Sequence, residues 1–244
     1  CTDTYNAIVE VFSHPVADFT PDTACAGNNS VFMDITTTGI GVEFWSWDFD
    51  ADGNEDDNVQ NPIHVFPGAA TYPVNLSVID SNGCTHDTTK NVYVSPQPTA
   101  DFSSTNECYG TANTFNDLSN PNGGTITNWD WDFNNDGSVD NTSQNPTNGY
   151  LSAGNYTVEL LVTTALGCVD SITKPVAVHP IPVADFSVAD VCLNEISNLY
   201  DSTTVATGNI IDWQWDFDND GNIDDNTQNP THTYPSDGTF AVTL

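Results

Sequence analysis

The chain has 244 residues, 38% of them hydrophobic and 11% aromatic, which is enough to build a buried core. Only 2 basic side chains oppose 34 acidic ones, a formal charge of −32. This balance argues against nucleic acid and anionic membranes, which need Lys and Arg, and favours solubility and divalent cations. No apolar run approaches the ~20 residues that span a bilayer, so we expect no membrane insertion in this segment.

Two sequence words recur along the chain and define its units. The opening word is PVADFT at 15–20, PTADFS at 98–103 and PVADFS at 182–187. The aromatic word is WSWDFDADGNEDDNVQNP at 45–62, WDWDFNNDGSVDNTSQNP at 129–146 and WQWDFDNDGNIDDNTQNP at 213–230. A fixed internal period is typical of repeat architectures. We therefore divide the chain into repeat 1 (16–98), repeat 2 (99–182) and repeat 3 (183–244), preceded by residues 1–15.

The two ends of the chain match interior segments of a repeat. Cys1 precedes Asp18 by the spacing that separates Cys84 from Asp101, so residues 1–15 match the last strand of a preceding repeat. FAVTL at 240–244 matches YPVNL at 72–76, so repeat 3 is expected to be incomplete and to lack its final strand. We interpret the chain as a window cut from a longer array.

Short alternating runs predict β-strands in every repeat. In repeat 1 they cover 31–35, 45–49, 72–78 and 91–94, separated by clusters of Gly, Pro, Asn and Asp. No stretch has the periodicity of an amphipathic helix. About seven short strands in ~84 residues predict an all-β fold of tandem immunoglobulin-like β-sandwiches arranged as an elongated array.

The aromatic side chains Trp45, Trp47 and Phe49 share one face of their strand, because they alternate along it. Burial in the sandwich core is the favoured interpretation, since large aromatics dominate such cores. The alternative is an exposed platform that stacks on sugars.

The acidic segment after each aromatic strand has the spacing of the first three quarters of an EF-hand loop. Oxygen ligands at positions 1, 3, 5 and 9 and a Gly at position 6 predict a Ca²⁺ site. No Glu occupies position 12, and no helices flank the loop. The alternative is a solvated turn in which Asp and Asn side chains cap their own backbone. The candidate ligands are Asp48, Asp50, Asp52 and Asp56, then Asp132, Asn134, Asp136 and Asp140, then Asp216, Asp218, Asp220 and Asp224.

Six cysteines without a CxxC motif predict disulfides and an oxidising, extracytoplasmic compartment. Cys25 and Cys84 match Cys108 and Cys168 in their repeats, so we expect the pairs Cys25–Cys84 and Cys108–Cys168. Cross-repeat pairing is the alternative. In the first scheme, Cys1 and Cys192 pair with residues outside the window; the register of Cys1 argues against a lipoprotein anchor.

The histidines show no catalytic pattern. None has a Ser, Cys or carboxylate partner at a spacing that recurs, and His64 and His232 are replaced by Asn148 in repeat 2. The carboxylate pairs lack the apolar setting that raises a pKa for acid catalysis. We therefore expect that the chain is not an enzyme.

The motifs W-x-W-D-F, Q-N-P-x-H, Y-x-V-x-L-x-V and N-G-C resemble, in this order, the polycystic kidney disease (PKD) domain. The resemblance covers almost the whole chain. It implies a small β-sandwich found in tandem on secreted and cell-surface proteins, and a structural role for the first Asp of each acidic loop. The acidic, Cys-bearing form is similar to repeats of very large surface adhesins of gliding bacteria, which the type IX secretion system exports. Asp-Ser/Thr-apolar triplets resemble the O-glycan acceptors of that group and place candidates at Thr23, Ser171 and Ser202.

These features predict an extracellular, cell-surface stalk or filament segment whose partners are neighbouring repeats, other copies of the chain or glycans. One alternative is a carbohydrate- or protein-binding accessory module of a secreted hydrolase. Another is a self-assembling fibre, in which one copy supplies the missing strand of the next.

Overall fold

A computed structural model describes residues 1–244, and it is entirely β, with 16 strands and no helix. Accordingly, no helix has the length and hydrophobicity that crossing a bilayer requires. The all-β expectation is confirmed, and each expected strand of repeat 1 coincides with or overlaps an observed one.

Repeat 1 is a sandwich of two sheets. Its strands are β1 (Phe19–Pro21), β2 (Ala24–Cys25), β3 (Asn29–Asp34), β4 (Val42–Asp48), β5 (Ile63–Val65), β6 (Ala70–Asp80) and β7 (Thr85–Ser95). One sheet has the order β1-β3-β5 and the other β2-β7-β6-β4. The alternation of Val74, Leu76 and Val78 with polar residues along β6 gives this strand one fully buried face.

Repeat 2 has the same architecture. Its strands are β8 (Phe102–Ser104), β9 (Asn113–Asp117), β10 (Ile126–Asp132), β11 (Thr147–Asn148), β12 (Gly154–Thr164) and β13 (Val169–Val178). The two sheets have the orders β11-β9-β8 and β10-β12-β13. Both long hairpins, β6–β7 and β12–β13, pair antiparallel through ten residue pairs.

Repeat 3 contains three strands, β14 (Phe186–Val188), β15 (Ser197–Asp201) and β16 (Thr231–His232), in one sheet. Its buried apolar cluster has 3 residues, against 12 in repeat 1 and 9 in repeat 2. Residues 1–15 carry no strand, although they match a strand in sequence, because they pair with no sheet of the chain.

The core of each sandwich is aromatic. Trp47 and Phe49 are fully buried, and the rings of Phe19 and Trp47 pack edge to face at 5.2 Å between centroids. Phe102 and Trp131 repeat this contact at the same distance. The core interpretation of the aromatic strand is therefore confirmed for these residues, whereas Trp45 is only half-buried.

The disulfide crosses from one repeat to the next, and the expected pairs Cys25–Cys84 and Cys108–Cys168 are wrong. Cys25 is bonded to Cys168, and Cys84 and Cys108 are free. Cys25 lies beside Ser95 at the end of β7, whereas Cys84 immediately precedes the start of that strand. The 11 residues of β7 extend over about 35 Å, and a disulfide requires Cα atoms within ~7 Å. Pairing of Cys25 with Cys84 is therefore excluded, and the cross-repeat alternative is the one observed.

Candidate metal sites in the acidic loops

The acidic loops are the segments 48–57, 132–141 and 216–225, and each begins and ends on one buried tryptophan. In repeat 1 the N–H of Trp47 donates to the carbonyl of Asp57, and the N–H of Asp56 donates to the carbonyl of Trp47, both at 2.8 Å. The Trp47 indole Nε1 donates to the carbonyl of Val59 at 2.9 Å. Trp131 and Trp215 make the same three contacts. The backbone and the indole of this core residue therefore fix the returning end of the loop, which starts at the next residue of the chain.

The first Asp of each loop holds the loop backbone. The Asp48 carboxylate accepts hydrogen bonds from the N–H groups of Gly53 at 2.9 Å and Asp50 at 3.3 Å. Asp216 accepts the equivalent bonds and one more, from Asp220. Burial opposes ionisation of Asp216, but these backbone N–H groups outweigh it and lower its pKa.

The Asp at position 9 closes the loop from the other side. The Asp56 carboxylate accepts a hydrogen bond from the N–H of Phe49 at 2.7 Å. Asp140 and Asp224 accept equivalent bonds at the same distance, from Phe133 and Phe217. The carboxylates at positions 1 and 9 thus accept hydrogen bonds from backbone N–H groups at the point where the strand leaves the core.

Two of the three loops bring carboxylates together. Oxygens of Asp48, Asp50 and Asp56 lie within 4.8 Å of one another, and so do those of Asp216, Asp218 and Asp224. Positions 1, 3 and 9 therefore converge, as the EF-hand spacing predicts. Repeat 2 has no such group of three acids, because Asn134 stands at position 3.

Position 5 departs from the expected ligand set. Asp52, Asp136 and Asp220 are outside the convergent groups. Their carboxylates instead accept hydrogen bonds at 2.8 Å from the N–H groups of Asn54, Ser138 and Asn222, respectively. The side chain and backbone of Asn54 lower the pKa of Asp52. These three residues behave as the turn-capping alternative describes.

The glycine at position 6 adopts the turn expected of it. Gly53, Gly137 and Gly221 have φ of 86°, 86° and 87°, a region that glycine enters without steric cost. Position 4 is also left-handed, at Ala51, Asn135 and Asn219. All three loops thus share one backbone conformation, whether or not an acid is present at position 3.

The donor set of the two clusters fits a hard divalent cation. Carboxylate oxygens are the ligands that Ca²⁺ prefers, and three of them within 4.8 Å repel one another when ionised. No Lys or Arg relieves this repulsion, because the two basic residues of the chain are both engaged elsewhere.

Both lysines make the same contact in successive repeats. Lys90 pairs with Asp18, donates to the carbonyl of Phe19 and lies 5.2 Å from the centre of the Phe19 ring. Lys174 makes the equivalent contacts with Asp101 and Phe102. The lysine hydrogen bond lowers the pKa of Asp18 and of Asp101. These contacts join the last strand of the repeat to its first.

A second repeated network surrounds the half-buried tryptophan. The Trp45 indole Nε1 donates to the Asp34 carboxylate at 2.8 Å, and the Gln60 amide donates to the same oxygen at 3.3 Å. Asp117 and Asp201 receive the corresponding pairs of donors in repeats 2 and 3. The sequence reasoning missed these aspartates, although their spacings of 83 and 84 residues were a visible signal.

Two histidines at equivalent positions pack on the phenylalanine at position 2 of the loop. His64 stacks on Phe49 at 4.1 Å between ring centres, and His232 stacks on Phe217 at 4.4 Å. Burial lowers the pKa of His64 despite the nearby acids. The two imidazole rings therefore extend the aromatic core towards the loop.

The candidate O-glycan residues Thr23, Ser171 and Ser202 are all exposed.

Repeat 1 also carries an open cleft of about 1050 Å³, lined in part by Phe44, Trp45, Glu43 and His86. At the positions of Phe44 and His86, repeat 2 has Asn128 and Asp170, so it lacks these two rings of the cleft and keeps only the equivalent of Trp45, Trp129.

Comparisons with known proteins identify the family to which the repeats belong. The profile of the PKD domain matches residues 13–96, 95–180 and 179–244. The PKD1 domain of Vibrio anguillarum Epp is 28% identical over 34% of this chain and 93% of its own, with a TM-score of 0.31. The PKD1 domain of the Vibrio cholerae metalloprotease PrtV is 32% identical over 34% of this chain and 96% of its own, also at 0.31. Because the profile covers nearly all of the sequence in three consecutive segments, the chain belongs to the PKD domain family and consists of tandem PKD domains.

Proposed function

We propose that this chain is a segment of an extracellular stalk or surface filament, in which tandem PKD domains hold a distal region away from the cell. The observation that carries the proposal is the Cys25–Cys168 bond, which joins two successive domains across a sequence separation of 143 residues. A bond between domains limits their relative motion, which is what a spacer under load needs. It also requires an oxidising compartment.

Calcium stabilisation is the second part of the proposal. The clusters around Asp50 and Asp218 supply convergent carboxylates, and a bound ion would remove the repulsion between them. Extracellular modules work with weak sites, of about 10⁻⁴–10⁻³ M. The ion's role would be to stiffen the loop and screen charge, with no chemical step.

The context of the parent protein extends the proposal. The Cys-bearing acidic repeats resemble those of surface adhesins exported by the type IX secretion system, which supports a cell-surface location. Neighbouring repeats are the first partners; other copies of the chain and glycans at Thr23, Ser171 or Ser202 are further ones. No catalytic role is proposed, because no nucleophile and base lie together in the polar contacts described above.

A glycan- or protein-binding accessory module is the second candidate function. The cleft beside Phe44 and Trp45 favours it, because it combines aromatic rings with acidic side chains. Binding of an oligosaccharide panel that is lost in Phe44→Asn, the residue of repeat 2, would favour this function over the stalk.

Immunogold labelling of intact cells of the source organism tests the stalk. Antibodies against this chain are expected to label thin projections at a distance from the membrane, without permeabilisation. Label confined to permeabilised cells would overturn the extracellular assignment. Label spread through the culture medium, with none on cells, would favour the accessory module of a secreted protein.

A further inference from the structure

The disulfide closes a covalent loop that contains most of the first two repeats. From Cys25 to Cys168 the loop includes strands β3 to β12, the hinge between the repeats and the acidic loops of both. Only residues 16–24 of repeat 1 and 169–182 of repeat 2 lie outside it. We propose that this bond is a tension bypass: force applied along the chain passes through the sulfur atoms and does not extend the sequence between them.

The direction of the covalent path supports this inference. A pull on the amino-terminal side reaches Cys25 through β1 and β2, crosses to Cys168, and continues along β13 towards repeat 3. The loaded path between Cys25 and Cys168 therefore stays short even when the two sandwiches unfold. Trp47, Trp131 and the candidate calcium loops lie inside the covalent loop, whereas Phe19 of the first core and Val176 of the second lie on the loaded segments.

The two lysine contacts lie where such a device needs them. Lys90 is inside the loop and holds Asp18 and the carbonyl of Phe19, which are outside it. Lys174 is outside the loop and holds Asp101 and the carbonyl of Phe102, which are inside it. One lysine thus adds to the strand pairing that joins each loaded segment to the shielded body, β1 to β3 and β13 to β12. The only two basic side chains of the chain serve these two ties.

The purpose of the bypass rests on the proposed stalk function. The existence of the bypass does not. In a stalk, it would keep the spacer from lengthening when its end is pulled, and would leave the shielded domains able to refold at once. Repeat 3 has no such bond in the chain and remains directly loaded. It provides an internal reference for any pulling experiment.

Single-molecule pulling of the full chain, held through peptide tags at both ends, tests the proposal. The oxidised chain is expected to reach a final length shorter than that of the reduced chain by about 500 Å, the extended length of the residues between Cys25 and Cys168. Cys25→Ser should lengthen the oxidised chain equally. Cys84→Ser, which removes a free cysteine of the same type, should leave it unchanged.

The lysine ties are tested in the same instrument. At constant force, Lys174→Met in the oxidised chain is expected to raise the rate of the step that extends residues 169–182 several-fold. The step assigned to repeat 3 should not change. Equal final lengths for oxidised and reduced chains would overturn the bypass, and an unchanged rate for the step of residues 169–182 would overturn the role of the lysine. Either result can be obtained while surface labelling still supports a stalk, so the two proposals fail separately.

Discussion

The Asp201 carboxylate accepts the indole Nε1–H of Trp213 at 2.8 Å and the amide of Gln228 at 3.1 Å on the same oxygen. Its other oxygen accepts the N–H of Thr203 at 2.9 Å. Partial burial opposes ionisation, but these donors outweigh it and lower the pKa of Asp201 to about 2. The ionised carboxylate therefore organises two side chains and one backbone N–H around it.

The first prediction concerns the stability of the chain at acidic pH. Because the pKa of Asp201 falls from 3.8 to about 2 on folding, its contribution to stability is complete above about pH 4 and is lost as the pH falls towards 2. The Trp213 indole N–H resonance should titrate with a midpoint near 2 in an NMR series. The Trp215 indole donates to the carbonyl of Thr227 and provides the control that should not follow this midpoint. A Trp213 midpoint near 4 would contradict the network.

The second prediction concerns calcium. At 10–100 times the dissociation constant, Ca²⁺ should raise the free energy of unfolding by about 1.4–2.7 kcal/mol, measured as a rise in melting temperature that Mg²⁺ does not reproduce. The variant with Asp50→Asn and Asp218→Asn should lose most of this rise, since it removes one charge from each cluster.

The matched control for the calcium prediction is the pair Asp52→Asn and Asp220→Asn. These carboxylates cap the loop backbone and are outside the clusters, so the calcium response should survive. An equal loss in both double variants would mean that general screening of the acidic surface, and not a bound ion, explains the response.

How much of this arrangement was predictable depends on how local each feature is. The strands and the buried Trp47 follow from alternation along the chain, which requires no knowledge of topology. The direction of Asp52 could not be predicted, because the spacing of an EF-hand fixes the order of ligands but not the backbone torsions of a loop that follows a strand. Here the Asp52 carboxylate accepts a hydrogen bond from the N–H of Asn54 and is not part of the cluster.

The cysteine pairing shows the same limit at longer range. Matching positions in two repeats identify which residues are equivalent, but not which are near each other. Cys25 and Cys84 are equivalent to Cys108 and Cys168, yet β7 separates the members of the first pair by its full length. The lysine contacts could have been predicted from the sequence, since Lys90 and Lys174 are 84 residues apart and face an Asp that recurs in each opening word.

The third prediction is the disulfide map. Peptide mapping without reduction should find Cys25 bonded to Cys168, and alkylation of the native chain should modify Cys84 and Cys108. Cys25→Ser should destabilise repeats 1 and 2 by up to about 5 kcal/mol in the chain-entropy model, measured by urea unfolding. A Cys25–Cys84 peptide would contradict the observed strand order.

The fourth prediction concerns the lysine ties. Lys90→Met should destabilise repeat 1 by about 1 kcal/mol, because it removes a half-exposed ion pair, the bond to the carbonyl of Phe19 and a cation–π contact. A double-mutant cycle with Asp18→Asn isolates the ion pair, whose part of the loss should shrink in high salt. A coupling energy of zero at low salt would mean that the lysine acts through its other two contacts alone.

The last prediction uses the repeats as controls for one another. Position 4 of the acidic loop has positive φ in all three repeats, occupied by Ala51, Asn135 and Asn219. Asn tolerates this conformation, whereas Ala pays roughly 1 kcal/mol for it. Ala51→Asn and Ala51→Gly should both therefore stabilise repeat 1 by up to about 1 kcal/mol in urea unfolding, although glycine normally destabilises a folded chain. Asn135→Ala should have the opposite effect on repeat 2. If Ala51→Gly destabilises instead, the acidic loop of repeat 1 does not hold the left-handed turn that its neighbours hold.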